Sequence, residues 1–494
     1  MKSKTHRNLF CTASISFFVL GFATTSAFGA DRVWTGLGGD DNWSTASNWS
    51  GGILPVPDTD SLTFSGTTRQ SNNANLAFAY YSGITFSNGG FTLNGPSNPG
   101  LRGNITSTGD NTINTYMYIA GGATRFINNS SGTLTLPAMD LQGATIQDNS
   151  SGTTIFGGSL FNTGHLRVFS EGQTVLGGDN SGYLGSIDVF RFARLTHANG
   201  LGGASTTVTL DRSYENAYVD LNGLNVSGVN LSFTAAENGA STSVARIRNT
   251  SGTAASFGGN IALNYTGGVD GNGDTTLSGV ISGAGGLVKL GAGNLTLTGA
   301  NSYSGHTTVS QGALLAAYSA PLSIGGGITI QTGAFFQENS SSNVAYNGAF
   351  DGGGRVRIFS PGQMVLGGDN SGFTGNIDVF RFAKLTHASG LGGASTTVTL
   401  DRSYENAYVD LNGLNVSGVN LSFTAAENGA STSVARLRNT SGTAASFGGN
   451  IALNYTGGVD GNGDTTLSGV ISGAGGLVKE GIGTLCATTI TMPP

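Results

Sequence analysis

An internal duplication constrains the fold of this 494-residue chain more than any other feature. Residues 167–289 (block A) recur at 357–479 (block B), and nine of the 123 aligned positions differ. An enzyme rarely keeps two near-identical catalytic sites on one chain, whereas a scaffold of stacked units gains length and surface from each copy. The duplication therefore predicts a repeat architecture.

The composition predicts short strands joined by tight turns. Glycine is abundant (82 residues), proline is sparse (9), and charged residues make up 10% of the chain, well below the ~25% usual in soluble domains. The apolar residues are mostly Val, Leu, Ile and Phe set among Thr, Ser, Asn and Gly, which favours strands over disorder. The net charge of −6 argues against nucleic acid as a partner, because nucleic-acid binding needs a basic face.

Residues 1–29 have the pattern of a signal peptide. Three basic residues lie within the first seven positions, an apolar stretch runs from Ile15 to Phe22, and Ala27-Phe28-Gly29 offers a cleavage site. The alternative, a membrane anchor, would need ~20 apolar residues. The sequence therefore predicts export, and it contains no later segment that could span a bilayer as a helix.

All three tryptophans of the chain fall within residues 30–66, at Trp34, Trp43 and Trp49. Two interpretations stay open for them. The indole faces could form a platform that stacks on sugar rings, or the segment could cap the first coil of a stacked β structure, whose end must be covered. The cap is the favoured interpretation.

Short apolar groups with period-2 alternation fill residues 67–166, both blocks, and residues 290–356. The strand candidates of block A read TVLGG, SIDVFRF, TTVTLD, AYVDLNG, VNLSF, VARIRN, NIALNY and TTLSGVI. Such strands could pair as the hairpins of a sandwich or barrel, or as successive sides of a solenoid. Length favours the solenoid, because a sandwich closes at roughly 100–250 residues. With about 22 residues per coil and coils ~4.8 Å apart, roughly twenty coils would make a rod about 100 Å long.

Residues 285–317 read GGLVKLGAGNLTLTGANSYSGHTTVSQGALLAA. In order, they contain Gly-Leu-x-Lys-x-Gly-x-Gly, Leu-Thr-Leu-Thr-Gly, Asn-x-Tyr-x-Gly, Thr-Thr-Val and Gly-x-Leu. This segment closely resembles the autotransporter-associated β-strand repeat, also termed the passenger-associated transport repeat. Looser versions begin at Gln173 and Gln363. The resemblance implies a right-handed parallel β-helix of an exported bacterial surface protein, in which such repeats assist translocation of the passenger.

The residues of this segment suit a coil of such a helix. Three groups are assigned roles by their chemistry. The predicted apolar interior is Leu295, Leu297, Val309, Leu314 and Leu315; the predicted corners with positive φ are Gly291, Gly293, Gly299, Gly305 and Gly312; the predicted polar ladders at turns involve Asn294 and Asn301.

The C-terminal segment 480–494 departs from the repeat pattern. Block B enters a new repeat, GGLVKEGIGTL, and the pattern is lost at Cys486, where CATTITMPP follows. We expect a frameshift or truncation to have removed further repeats and an anchor, and sequencing of the DNA beyond the stop codon tests this. The other cysteine, Cys11, lies in the signal, so the sequence predicts no disulfide in the mature chain.

Side chains that could take part in catalysis are scattered along the sequence and form no known catalytic motif. The histidines are isolated in sequence and are interpreted as turn or surface residues: His165, His197, His306 and His387. A groove of carboxylates, as in β-helical polysaccharide lyases and hydrolases, would draw on Asp188, Asp211, Glu215 and Asp220 near Arg191 and Arg212. The favoured alternative is a solvated strand edge, where charge discourages edge pairing.

Asp270-Gly-Asn-Gly-Asp274, repeated at Asp460 to Asp464, is similar to the start of a calcium loop. An EF-hand is excluded, because its sixth position must be Gly and its twelfth Glu, and here they are Thr275 and Ile281. A nonstandard calcium turn and an ordinary Asn/Gly turn both stay open, and the second is favoured.

Together these observations predict an exported, non-enzymatic β-solenoid passenger that acts as a spacer, adhesin or matrix component at or outside the bacterial surface. We predict no catalytic, cofactor-binding or metal-binding residue. Polysaccharides or host and cell-surface ligands are the expected partners. The alternative functions are a carbohydrate-active β-helix enzyme and a fragment of a larger autotransporter.

Overall fold

The computed structural model describes residues 29–214, 217–235, 244–317, 326–404, 406–425, 427 and 433–491. These residues form a β-solenoid of about 19 turns, and every pairing between the described strands is parallel. The predicted solenoid is thus confirmed, and the antiparallel sandwich is wrong. The right-handed winding stays a prediction. The predicted signal peptide lies, except for Gly29, outside the described residues.

Each turn has up to three strands, so the solenoid has three sides that the chain visits in the order 1, 2, 3. Side 1 begins as a 12-stranded sheet and continues further along the axis as a 7-stranded sheet. The first sheet contains Asp31–Trp34, Ser61–Phe64, Ile84–Phe86, Ile105–Ser107, Thr124–Asn129, Thr145–Asp148, His165–Val168, Ser186–Val189, Thr207–Asp211, Asn230–Thr234, Ile261–Leu263 and Ile281–Ser282. The second contains Val344–Tyr346, Gln363–Leu366, Phe382–Leu385, Tyr408–Asp410, Ala435–Asn439, Gly457–Gly461 and Leu477–Lys479.

Side 2 is a 14-stranded sheet. Its strands are Ser71–Asn73, Thr92–Asn94, Asn111–Ile113, Thr133–Leu136, Thr153–Phe156, Thr174–Leu176, Phe192–Leu195, Tyr218–Asp220, Ala245–Asn249, Gly267–Gly271, Leu287–Lys289, Thr307–Val309, Ile328–Ile330 and Phe350–Asp351.

Side 3 begins as a 5-stranded sheet and continues as part of a 15-stranded sheet, whose last strands turn a corner. The first sheet contains Tyr80–Tyr81, Gly100–Leu101, Met117–Ile119, Met139–Asp140 and Leu160–Phe161. The second contains Asn225–Val226, Ala255–Phe257, Thr275–Leu277, Leu295–Leu297, Ala313–Ala316, Phe335–Glu338, Arg355–Ile358, Asn376–Val379, Thr397–Asp401, Asn420–Thr424, Ile451–Leu453, Thr465–Ser472, Ala445–Phe447 and Asn415–Val416, with Leu485–Thr491 joined to Thr465–Ser472.

The core is a set of apolar columns that run along the axis. On side 1, for example, Ile187, Val208, Leu231, Ile261 and Ile281 stack directly on one another, and each is at most 3% exposed. Their neighbours in the strands point outward and are mostly Thr, Ser or Asn, as the period-2 pattern predicts. Each fully buried aliphatic side chain contributes about 1.5–3 kcal/mol, so the columns carry most of the stability of each turn.

Two details of block A differ from the predicted strands. SIDVFRF is not one strand, because the chain turns a corner after Val189 and places Ser186–Val189 and Phe192–Leu195 on different sides. Gly267–Gly271 forms a strand that propensity did not predict. A Cβ atom at Gly267 would lie 2.9 Å from the Phe233 ring, so the glycine makes room for an interior aromatic side chain.

The three tryptophans are buried at the start of the solenoid, with 0–2% exposure. Trp34 and Trp43 each contact Trp49 edge to face, at centroid distances of 5.2 and 5.9 Å, and all three contact Phe64 of the first full turn. The indole nitrogen of Trp43 donates a hydrogen bond of 2.7 Å to Asn72. Buried indole faces cannot stack on a sugar, so the platform interpretation is wrong. Two 3₁₀ helices, Ala46–Asn48 and Ser50–Gly52, hold the cluster.

The two blocks are rotated relative to each other about the solenoid axis. Block A begins with side 1 strands such as Ser186–Val189, but the equivalent strand of block B, Asn376–Val379, lies on side 3. Tyr218–Asp220 of side 2 likewise corresponds to Tyr408–Asp410 on side 1. The 190-residue offset is therefore not a whole number of turns. Equivalent surfaces face different directions, about 40 Å apart along the axis at ~4.8 Å per turn.

The C-terminal segment extends the ladder by one strand. Leu485–Thr491 pairs in parallel with Thr465–Ser472, so the predicted loss of pattern at Cys486 does not end the pairing. The alternation of buried and exposed side chains does stop here, because residues 486–491 are all exposed.

Candidate functional site

The segment that matches the transport-repeat pattern forms more than one complete turn. It places Leu287–Lys289 and Thr307–Val309 on side 2, and Leu295–Leu297 and Ala313–Ala316 on side 3. Four of the five predicted interior residues are buried, whereas Leu315 points outward and Ala316 takes the inward position. Leu314 and Leu315 could not both face the interior, because successive side chains of a strand point to opposite faces.

The five motif glycines serve two purposes. Gly291 and Gly312 have φ of +70° and +67°, as predicted. At Gly293, Gly299 and Gly305 the prediction of positive φ is wrong, and a Cβ atom would instead lie 2.1–2.3 Å from the backbone of the preceding turn. These glycines let successive turns approach closely. Asn301 is 3% exposed and accepts a 2.9 Å hydrogen bond from the Ile281 amide, which fits its predicted place in a polar ladder.

The lysine of the motif is the least expected feature, because Lys289 points into the solenoid and is 2% exposed. Its ammonium donates hydrogen bonds to the carbonyls of Leu290 (2.7 Å), Gly291 (2.8 Å) and Gln311 (3.1 Å). Burial lowers the pKa of Lys289 to about 8, although the charges of Asp270 and Asp274 oppose this. The lysine thus gathers carbonyls from two successive turns, as a bound cation would.

The equivalent residue of block B, Lys479, is exposed and bonds only its own turn among the described residues. Its ammonium donates to the carbonyls of Glu480 (2.6 Å) and Gly481 (2.9 Å).

Each block also presents an arginine–aromatic cleft. In block B the Arg438 guanidinium lies 4.7 Å from the centre of the Tyr408 ring and bonds Asp460 at 2.8 Å, while Phe382 stacks on Tyr408 at 5.0 Å. The cleft has a volume of about 480 Å³. In block A, Arg248 repeats the arrangement over Tyr218 (4.2 Å) with Asp270 (2.7 Å).

The candidate carboxylates of the lyase-type alternative are occupied by local hydrogen bonds. Asp188 accepts a bond of 2.6 Å from Thr209, and Asp211 accepts one of 2.6 Å from the Ser213 amide. Asp220 is 3% exposed and is bonded by Thr250 of the next turn at 2.6 Å. Glu215 lies outside the described residues. Asp188 and Asp220 therefore bond the next turn, whereas Asp211 bonds its own turn. Their block B equivalents Asp378 and Asp401 line one open cleft of about 330 Å³, together with Arg355 and Arg357.

The two arginines near these acids also contact neighbouring side chains. Arg191 contacts Glu171 at 3.4 Å and lies over the Tyr214 ring at 4.6 Å, and Arg212 lies over Tyr265 at 5.4 Å.

In the repeated Asp-Gly-Asn-Gly-Asp segment, the first aspartate pairs with an arginine of the preceding turn. Burial opposes ionisation of Asp270, but hydrogen bonds from Arg248 and the Gly271 amide, with the charges of Arg248 and Arg246, hold its pKa below the usual value. Asp274 accepts a hydrogen bond of 2.8 Å from the backbone amide of Asn294 in the next turn. In block B, Asp460 and Asp464 bond Arg438 and Thr484 in the same way. Among the described residues no group of three potential metal ligands is present.

The four histidines of the described residues lie apart from one another in turns and on the surface. His165 contacts Ser186 at 2.5 Å, and His306 contacts Thr329 at 2.8 Å. His197 and His387 accept hydrogen bonds of 3.2 Å from the backbone amides two residues later.

The structure also assembles a feature that sequence reasoning missed, an aromatic strip on the first part of side 3. Its members are half-buried or exposed, and they are Phe78, Tyr80, Tyr116, Tyr118 and Phe161. Neighbouring rings contact each other at centroid distances of 5.1–5.9 Å. Burial, the charge of Asp140 and the neighbouring Tyr118 raise the pKa of Tyr116, so its hydroxyl stays neutral and able to donate.

Comparison with known proteins gives two matches. Residues 287–316 match the passenger-associated transport repeat, within the segment 285–317 that carried the predicted resemblance. The adhesin BmaC autotransporter of Brucella suis biovar 1 (strain 1330) is 36% identical over 132 residues, which is 26% of this chain and 3% of that protein. The chain thus spans a small fraction of that relative. No solved structure matches.

Within the described ranges, no helix has the length and apolar character needed to cross a membrane. The matched segment forms one turn and part of the next in an uninterrupted parallel ladder. The chain therefore carries a passenger-associated transport repeat within a β-solenoid.

Proposed function

We propose that this chain is an exported, non-catalytic passenger-type solenoid that presents binding surfaces outside a bacterial cell, as an adhesin does. One observation carries the proposal: a transport repeat is built into a solenoid of stacked parallel turns. The similarity to an autotransporter adhesin supports the same role. The hydrogen bonds of the described candidate carboxylates favour a structural role for them over catalysis.

We further propose that the transport-repeat turn assists export of the chain. The strand register allows one whole turn to be deleted without shifting the strands that follow, because Thr307 stacks directly on Leu287. Deletion of residues 287–306 removes one turn and joins residue 286 to 307 in the same position. The matched control deletes residues 267–286, because Leu287 stacks on Gly267 in the same way.

The experiment compares the amount of each chain that protease removes from the surface of intact producing cells. We expect the 287–306 deletion to reduce the exposed chain several-fold, while the control deletion leaves it near the level of the parent. Equal export of both deletions would contradict the role of the repeat.

Adhesion is tested separately, with beads that carry the purified chain and a panel of surfaces. Turnover of polysaccharide, measured as release of reducing ends, would contradict the non-catalytic role.

A further inference from the structure

The aromatic strip owes its shape to the stacking of turns. The outward positions Tyr80, Gly100, Tyr118, Asp140 and Phe161 lie in one column, because each pairs with the next across the parallel sheet. Phe78 and Tyr116 lie two residues before Tyr80 and Tyr118, so they flank the same column. The column covers four intervals of ~4.8 Å, or about 19 Å along the axis.

Gly100 lets the Tyr80 ring lie against the next strand, and Phe78 stands edge-on to Tyr80 and Tyr118, at interplanar angles of 80° and 88°. A Cβ atom at Gly100 would lie 2.3 Å from Cδ1 of Tyr80, so the Tyr80 ring rests on the backbone of the next turn. The Arg102 guanidinium lies 5.1 Å from the centre of the same ring and pairs with Asp58 at 3.1 Å. The ring is thus held between a strand and a cation.

Polar groups border the rings. The Tyr80 hydroxyl donates a hydrogen bond of 3.2 Å to Gln142, whose side chain is exposed. Asn162 bonds Asp140 at 2.7 Å. At the other end, Asn98 and Ser97 line an open cleft of about 490 Å³ with Phe78 and Tyr118. Exposed aromatic rings bordered by amide and hydroxyl groups suit a ligand that has apolar CH faces and a rim of hydroxyls.

Area argues against a second protein as the occupant. Phe78 is 55% and Phe161 40% exposed, and the three tyrosines are less exposed. If each ring side chain offers 150–250 Å² when fully exposed, the strip offers at most about 500 Å², against ~800 Å² per partner in a standard protein interface.

From these observations we propose that the aromatic strip binds an extended, neutral β-linked glycan whose sugar rings contact the exposed surfaces of Phe78, Tyr116, Tyr118 and Phe161. Tyr118 and Phe161 lie two turns apart in the column, about 10 Å along the axis, which is close to the length of two sugar units in such a chain. This inference rests on the proposed adhesin-type function and names its ligand class.

The test is isothermal titration calorimetry of the purified chain with cellohexaose, xylohexaose, chitohexaose and laminarihexaose. We expect at least one of these probes to bind, and the Phe78→Ala/Tyr118→Ala variant to bind it at least tenfold more weakly. The matched control is Tyr265→Ala/Tyr455→Ala, which removes two rings that are 44% and 45% exposed outside the strip. Gly100→Ala, which displaces the Tyr80 ring, should weaken binding while circular dichroism stays unchanged.

Three outcomes overturn the proposal: no probe binds the parent chain, the strip variant binds as well as the control, or light scattering shows a dimer that the strip variant abolishes. The last outcome assigns the strip to a protein interface. Bead adhesion distinguishes failure of the glycan site from failure of the adhesin-type function, because adhesion that persists in the strip variant refutes the glycan site alone. Absence of adhesion by the parent chain refutes the proposed function.

Discussion

Substitution of Lys289 and Lys479 by methionine tests whether the motif lysine joins successive turns. Methionine keeps the length and apolar stem of lysine, and the two sites share the sequence GGLVK. Lys289 is buried and bonds three carbonyls, whereas Lys479 is exposed and bonds two. The two variants therefore make the same substitution in the same local sequence, at Lys289 with a further strand stacked on it and at Lys479 without one among the described strands.

Two opposed effects set the magnitude at Lys289. The lowering of its pKa from 10.5 to about 8 corresponds to a burial cost of about 3 kcal/mol, which methionine would recover. Three carbonyls then lose their donor, at about 1–3 kcal/mol each. At about 2 kcal/mol per carbonyl the second effect is larger, so we expect Lys289→Met to lose about 2–3 kcal/mol. Lys479→Met should cost less than about 0.5 kcal/mol, since water replaces the lost donor.

Hydrogen exchange is the appropriate assay, because stability in a solenoid is local to each turn and its neighbours. The amides of Leu290, Gly293 and Ser310 bond the backbone of the preceding turn. In Lys289→Met they should exchange roughly 30–150-fold faster, at tenfold per 1.4 kcal/mol. The reasoning is refuted if Lys479→Met accelerates its own turn, at Glu480 and Gly483, by as much.

The low pKa of Lys289 predicts a pH dependence, because between pH 8 and 9.5 the unfolded chain holds a proton that the folded chain has lost. Amide protection of this turn from hydrogen exchange should therefore rise with pH, and Lys289→Met should abolish the rise. Trp43→Ala should cost about 3–5 kcal/mol in the first turns and leave exchange in block B unchanged; an effect that reaches block B would count against local stability. Ile247→Leu copies the residue of block B at an equally buried position, so melting should show a loss below about 1.5 kcal/mol. Millimolar calcium should leave the melting temperature unchanged, because Asp270 and Asp460 bond arginines, and a shift absent from Asp270→Asn/Asp460→Asn would contradict this.

Sequence reasoning reached the architecture because stacking is a property of the whole chain. The duplication and the period-2 alternation both report on columns such as Ile187, Val208 and Leu231, whose contacts repeat in every turn. Local geometry was harder to predict. The corner after Val189 leaves no signature in SIDVFRF, because both flanking strands alternate in the same way.

The aromatic strip was invisible in the sequence for a different reason. The residues of its column are separated by 20, 18, 22 and 21 positions, from Tyr80 through Gly100, Tyr118 and Asp140 to Phe161. Turns of unequal length destroy any fixed period, so only the register of the strands brings these rings together. The inward position of Lys289 was equally hidden, since a lysine in an alternating strand is usually taken for an outward residue.

The rotation of block B against block A limits what the duplicated clefts can bind together. The Tyr218 cleft opens on side 2 and the Tyr408 cleft on side 1, some 40 Å further along the rod. One flat surface cannot meet both at once, so a single plane gains no avidity from the duplication. Two separate objects on different flanks of the rod can each occupy one cleft. A duplication out of phase with the turn thus places equivalent surfaces on different flanks of the rod, where they cannot act together on one plane.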